Sequence, residues 1–103
     1  MTAPRSYAFR TQLWLWEARR QDSWTFVSLP PEIAEEIREQ APPAAGFGSV
    51  PVAVRLGATS WRTSIFPDSA RGTYVLPVKK AVRRAEGLAE GTVAAVELEV
   101  RDP

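Results

Sequence analysis

Lys79, Lys80, Arg83 and Arg84 put four cations into six residues, and their spacing gathers them on one face if the segment is helical. A charged face on an amphipathic helix is ordinarily a solvated surface. A second reading notes that Lys79 and Lys80 stand at the start of that segment. There a cation typically costs about 0.3 to 1 kcal/mol against the helix dipole, whereas phosphate or carboxylate is welcome. The ligand chemistry that fits is therefore anionic. Arg62 and Ser64 share one face of a strand-like segment, with Arg55 on the preceding one. Such residues ordinarily meet solvent, but with Trp61, Phe66 or Trp24 as a wall they would form the polar part of a small-molecule pocket. Ser64 beside Lys79 or Lys80 is also a conceivable nucleophile and base.

Other chemistries are closed off by residue type. The 103 residues include no Cys, His or Asn, which removes disulfides, thiolate catalysis, Cys/His zinc sites, histidine triads and N-glycosylation sequons. Gly46-Phe47-Gly48 is too short a pattern for a nucleotide-binding loop, and no carboxylate pair is placed together by spacing. No catalytic residue, cofactor or metal is therefore assigned. A net charge of +1 provides no bulk attraction to nucleic acid or anionic membrane. The first residues, Met1 to Tyr7, lack the apolar run of a signal peptide, and no stretch approaches the roughly 18 apolar residues of a membrane span. The expected location is the cytoplasm.

The elements that must position these residues follow from hydrophobic period. Tyr7, Phe9, Leu13 and Leu15 alternate with polar neighbours, as do Val50 to Leu56, Trp61 to Ile65 and Ala94 to Val100, which is the period-two pattern of half-buried strands. Trp24 to Leu29 and Tyr74 to Leu76 are rich in β-branched and aromatic residues and read as two more. A polar loop is expected over Glu17 to Ser23. Pro30-Pro31 opens a helix with Ile33, Ala34, Ile37 and Ala41 on its apolar face and Glu32, Glu35 and Glu36 near its start. Pro77 is expected to open a second, with Val78, Ala81, Val82 and Ala85 facing the core and Gly87 stopping it. Trp14, Trp16, Trp24 and Trp61 read mostly as core or barrel rim. If Trp14 and Trp16 project from one face, they mark a subunit contact or a ligand groove.

Each half of the chain reads as strand, Leu-Pro, helix, strand. Neither half can bury its own apolar face, so the expected packing relates them by a pseudo-twofold axis within one shared barrel. The run Tyr74-Val-Leu-Pro77, then Leu88-Ala-Glu-Gly91-Thr-Val-Ala-Ala-Val96, resembles the swapped-hairpin module of AbrB-like and MazE-like factors, which form double-split barrels as homodimers. Four separated motifs resemble, more specifically, the bacterial and archaeal domain-of-unknown-function family one-nine-zero-five. They are Trp24-Thr-Phe-Val-Ser-Leu-Pro30, Gly46-Phe-Gly-Ser-Val-Pro-Val52, Trp61-Arg-Thr-Ser-Ile-Phe-Pro67 and Tyr74-Val-Leu-Pro-Val-Lys-Lys80. This resemblance implies a double-split barrel within one chain and supplies no activity.

The expectation is a mainly β protein: a single-chain double-split β-barrel with an internal pseudo-twofold repeat and two short helices, spanning residues 7–101 after a tail of 1–6. Its function is expected to be that of a non-enzymatic binding module, monomeric or homodimeric, for a small anionic ligand or a protein partner. Trp61, Arg62, Ser64, Lys79 and Lys80 are the candidate ligand-binding residues. The alternatives are DNA binding by analogy with AbrB-like factors and an enzyme of unfamiliar chemistry. Against DNA stand Glu32, Glu35, Glu36 and Glu39, which make one half acidic.

Overall fold

The computed structural model of this chain describes residues 6–19, 22–40 and 48–101, with side chains described outside 16–24. The elements in chain order are β1 (Ser6–Arg19), β2 (Asp22–Ser28), α1 (Pro31–Gln40), β3 (Val50–Leu56), β4 (Thr59–Asp68), β5 (Thr73–Pro77), α2 (Lys80–Glu86) and β6 (Val93–Val100). The strands close a barrel in the order β1-β2-β5-β4-β3-β6, every pairing antiparallel, so no edge is left open to pair with another chain.

Alternation in the sequence becomes inside and outside. Val50, Val52, Val54 and Leu56 of β3 and Ala94, Val96, Leu98 and Val100 of β6 are all buried, while Glu97 and Glu99 between them are exposed. Phe9, Leu13, Val27, Ile65, Tyr74 and Leu76 complete the interior from the other strands. Among the described residues no buried side-chain polar atom lacks a hydrogen-bond partner. Thr73, for example, donates its hydroxyl to the Leu29 carbonyl at 2.8 Å.

Two strands divide their length between neighbours. Ser6 to Gln12 of β1 pair with β6, and Leu13 onward pair with β2. In the same way Thr59 to Ile65 of β4 pair with β3, and Phe66 to Asp68 pair with β5. The first hairpin is longer than its sequence implies. The expected loop over Glu17 to Ser23 is mostly strand, because β1 runs to Arg19 and β2 begins at Asp22 around a register shift. The barrel likewise takes in Ser6, one residue earlier than expected.

Pro31 opens α1, where a missing N–H costs nothing, and the Pro30 carbonyl accepts from Ile33 and Ala34, both at 3.0 Å. Ala34 and Ile37 are buried under the helix, and Gln40 ties its end to β1 by donating to the Tyr7 hydroxyl at 2.7 Å. Ala41, Gly46 and Phe47 lie outside the described residues.

The second helix does not begin at Pro77. Proline's fixed φ suits the end of a strand as well as a helix start, and here Pro77 pairs with Phe26 while the Val78 N–H reaches the Thr25 carbonyl at 2.9 Å. The chain therefore stays extended through Lys79 (φ −69°, ψ 159°), and α2 starts three residues later than expected. Val78 and Val82 are buried, whereas Ala81 and Ala85, expected to face the core, are exposed. Gly87 ends it in the left-handed conformation that favours glycine (φ 63°). Because β2 and β5 run antiparallel, α1 and α2 leave the sheet at opposite ends.

Candidate functional site

A cleft of about 370 Å³ lies where the entry to α2 meets β4, lined by Thr25, Trp61, Arg62, Thr63, Pro77, Val78, Lys79, Lys80 and Arg83. Its geometry follows from three anchors. The Val78 N–H is bound to Thr25, the Val78 and Val82 side chains are buried in the core, and the far end of α2 is held where the Thr59 hydroxyl donates to Glu86 at 2.6 Å. Lys79 and Lys80 are thereby held at the cleft by an anchored backbone. Arg83 does not lie on the solvent face with Arg84, as its spacing suggested. It is half-buried and donates Nε to the Val78 carbonyl at 3.1 Å, which holds its guanidinium at the cleft.

Four of the lining residues are cationic and, among the described residues, none is a carboxylate. Arg62, Lys79, Lys80 and Arg83 form no ion pair among the described residues. Like charges held together without a counter-charge raise the local positive potential, and a concave wall of low dielectric concentrates it. Trp61, half-buried and packed against the core, supplies the apolar wall.

A second, more open cleft of about 700 Å³ covers the outside of β1, β6, β3 and β4 and shares Trp61 and Arg62 with the first. Cross-strand register builds it as two outward rows. Ser6, Glu99, Ala53 and Arg62 form one, and Ala8, Glu97, Arg55 and Ser60 the other. The small Ala8 and Ala53 leave the hollow. Arg55 and Glu97 are paired, with Nε donating at 3.0 Å, whereas Glu99 and Arg62 form no ion pair among the described residues.

Of the five residues singled out from sequence, Trp61, Arg62, Lys79 and Lys80 come together at the smaller cleft. Ser64 does not. It is half-buried, pairs with Pro51, lines neither cleft and makes no hydrogen bond with either lysine, so the conceivable serine–lysine pair is not assembled. Phe66 also lines neither cleft, and the Trp16 and Trp24 side chains lie outside the described residues. Trp14 is not an open patch. It stacks on Phe26 with ring centroids 5.1 Å apart, donates Nε1 to the Ser28 hydroxyl at 2.9 Å and carries the Arg71 guanidinium 3.9 Å above its ring. Sequence spacing does not show that Thr25 and Arg83 meet at the cleft. Thr25 acts through its backbone carbonyl, and the Arg83 side chain is anchored on the Val78 carbonyl.

Fold and clefts together define a small closed antiparallel barrel with two helices and a cationic cleft beside one of them. The chain belongs to the family described as Domain of unknown function (DUF1905), whose model matches residues 9–98. No match was found among curated proteins. Among the described residues no helix is long and apolar enough to cross a membrane.

Proposed function

We propose that this domain is a non-enzymatic binding module whose ligand carries an anionic group, held by Arg62, Lys79, Lys80 and Arg83 beside Trp61. One observation carries the reading. Four cations from β4 and the α2 entry line one concavity that includes no carboxylate among its described residues. Arg83 is tethered inward to the Val78 carbonyl, and Arg62 joins it from a separate strand. The test is thermal denaturation with phosphate or sulfate against chloride at matched ionic strength. Specific binding raises the melting temperature beyond the chloride control, and its absence would count against the site.

We also read the barrel as double-split with an internal pseudo-twofold, akin to the AbrB-like and MazE-like homodimers but completed within one chain. Three features support this. Exchanging β1 with β4, β2 with β5 and β3 with β6 returns the same circular strand order. The two exchanged strands β1 and β4 are the ones that divide their length between neighbours. Ser28 and Val75, each immediately before a Leu-Pro pair, face one another across β2 and β5, as a residue on a twofold axis faces its own equivalent. The analogy does not extend to DNA binding in this reading. α1 carries Glu32, Glu35, Glu36 and Glu39 against Arg38 alone, so only one of the two related ends is basic.

A further inference from the structure

Resting on that reading of the cationic cleft, we infer that the ligand is a nucleoside phosphate, with its phosphate among Lys79, Lys80 and Arg83 and its base and ribose running past Trp61 into the larger cleft. Size is the first reason. One water takes about 30 Å³ of liquid, so a five-atom inorganic anion leaves much of a 370 Å³ cleft unfilled. Continuity is the second, since Trp61 and Arg62 line both clefts and an occupant of one meets the wall of the other.

Charge is the third. The larger cleft sets Glu97 and Glu99 among Arg55, Arg62 and Arg101. Glu97 is paired with Arg55, so this cleft presents both signs, whereas the smaller one presents cations alone. A second anionic group therefore gains less in the larger cleft than a neutral group that can both donate and accept hydrogen bonds. The complementary ligand is anionic at one end and neutral at the other, with a planar surface for the indole. Its neutral end must offer both donors and acceptors to Ser60, Arg62 and Glu99. A base and ribose diol on a phosphate have this combination, and stacking on an aromatic side chain tolerates any base.

Calorimetric titration with adenosine 5′-monophosphate, ribose 5-phosphate and inorganic phosphate tests the inference. The monophosphate should bind about ten-fold tighter than ribose 5-phosphate, as expected when one base stacks on one aromatic side chain. Trp61→Leu should erase that ratio by weakening the monophosphate far more than ribose 5-phosphate, and Trp61→Phe should keep most of it. Should Trp61→Leu fail to fold, the ratio in the parent protein decides alone. Equal affinity for all three probes would overturn the nucleoside assignment and leave the anion site standing. No binding of any of them would overturn both.

Discussion

The Thr59 hydroxyl donates to Glu86 at 2.6 Å, fastening the turn between β3 and β4 to the end of α2. The carboxylate lies so close to the turn that a Cβ built on Gly57 would overlap Glu86 Oε1. Gly57 also has φ +59°, a conformation that L side chains rarely adopt. Glycine therefore serves two needs at one position. The contact is one of the anchors that fix α2, and with it the cationic cleft, against the barrel.

Gly57→Ala should destabilise the fold by about 1 to 3 kcal/mol, from backbone strain and displacement of Glu86. In a Glu86→Ala background the same change should cost less, because only the strain remains. Denaturant unfolding of the two single variants and the double variant measures the coupling. Strict additivity would mean that Glu86 and Gly57 do not constrain one another.

Acid should weaken the loop between β4 and β5. The Arg71 guanidinium, donating to Asp68 at 2.9 Å, is the main cause holding the Asp68 carboxyl below the ordinary aspartate range. A folded-state pKa below the unfolded one contributes stability that is present above the unfolded value and lost as pH falls through the folded one. The loss should therefore begin near pH 4 and continue below it. Arg71→Ala should return the Asp68 titration, followed by carboxyl NMR, to the ordinary aspartate range and remove the cation from the Trp14 ring. An unchanged Asp68 titration in that variant would exclude Arg71 as the cause.

One chain supplies all six strands of the closed barrel, so the fold should not depend on concentration. Circular dichroism should be unchanged on dilution below micromolar, whether or not folded dimers form at higher concentration. Unfolding that tracks dissociation would instead indicate a barrel completed between chains.

Much of this architecture is legible in the sequence because strands buried on one face alternate. Val50 to Leu56 and Ala94 to Val100 show their inner faces directly. The start of α2 is not legible. Pro77 is equally compatible with a strand end and a helix start, and only the Val78 to Thr25 hydrogen bond, a contact between distant segments, decides between them. Ala81 and Ala85 are exposed although their spacing predicts a core face. Arg62 and Ser64 do share a strand face by parity, yet two residues along a strand is a shift of roughly 6.6 Å, enough to carry Ser64 out of the cleft that Arg62 lines. Spacing specifies a face, and cross-strand register then determines which side chains meet.

The most direct measurement is phosphate-induced stabilisation of the parent protein compared with the Lys79→Glu/Lys80→Glu variant. Both lysines are exposed and form no ion pair among the described residues, so the double change should leave the fold intact. Phosphate at ten times its Kd should add about 1.4 kcal/mol to the parent by mass action, and the variant should gain nothing beyond a chloride control. If the parent shows no such gain, or the variant gains as much, the cations at the mouth of α2 are a solvated surface and the account of an anion-binding cleft is contradicted.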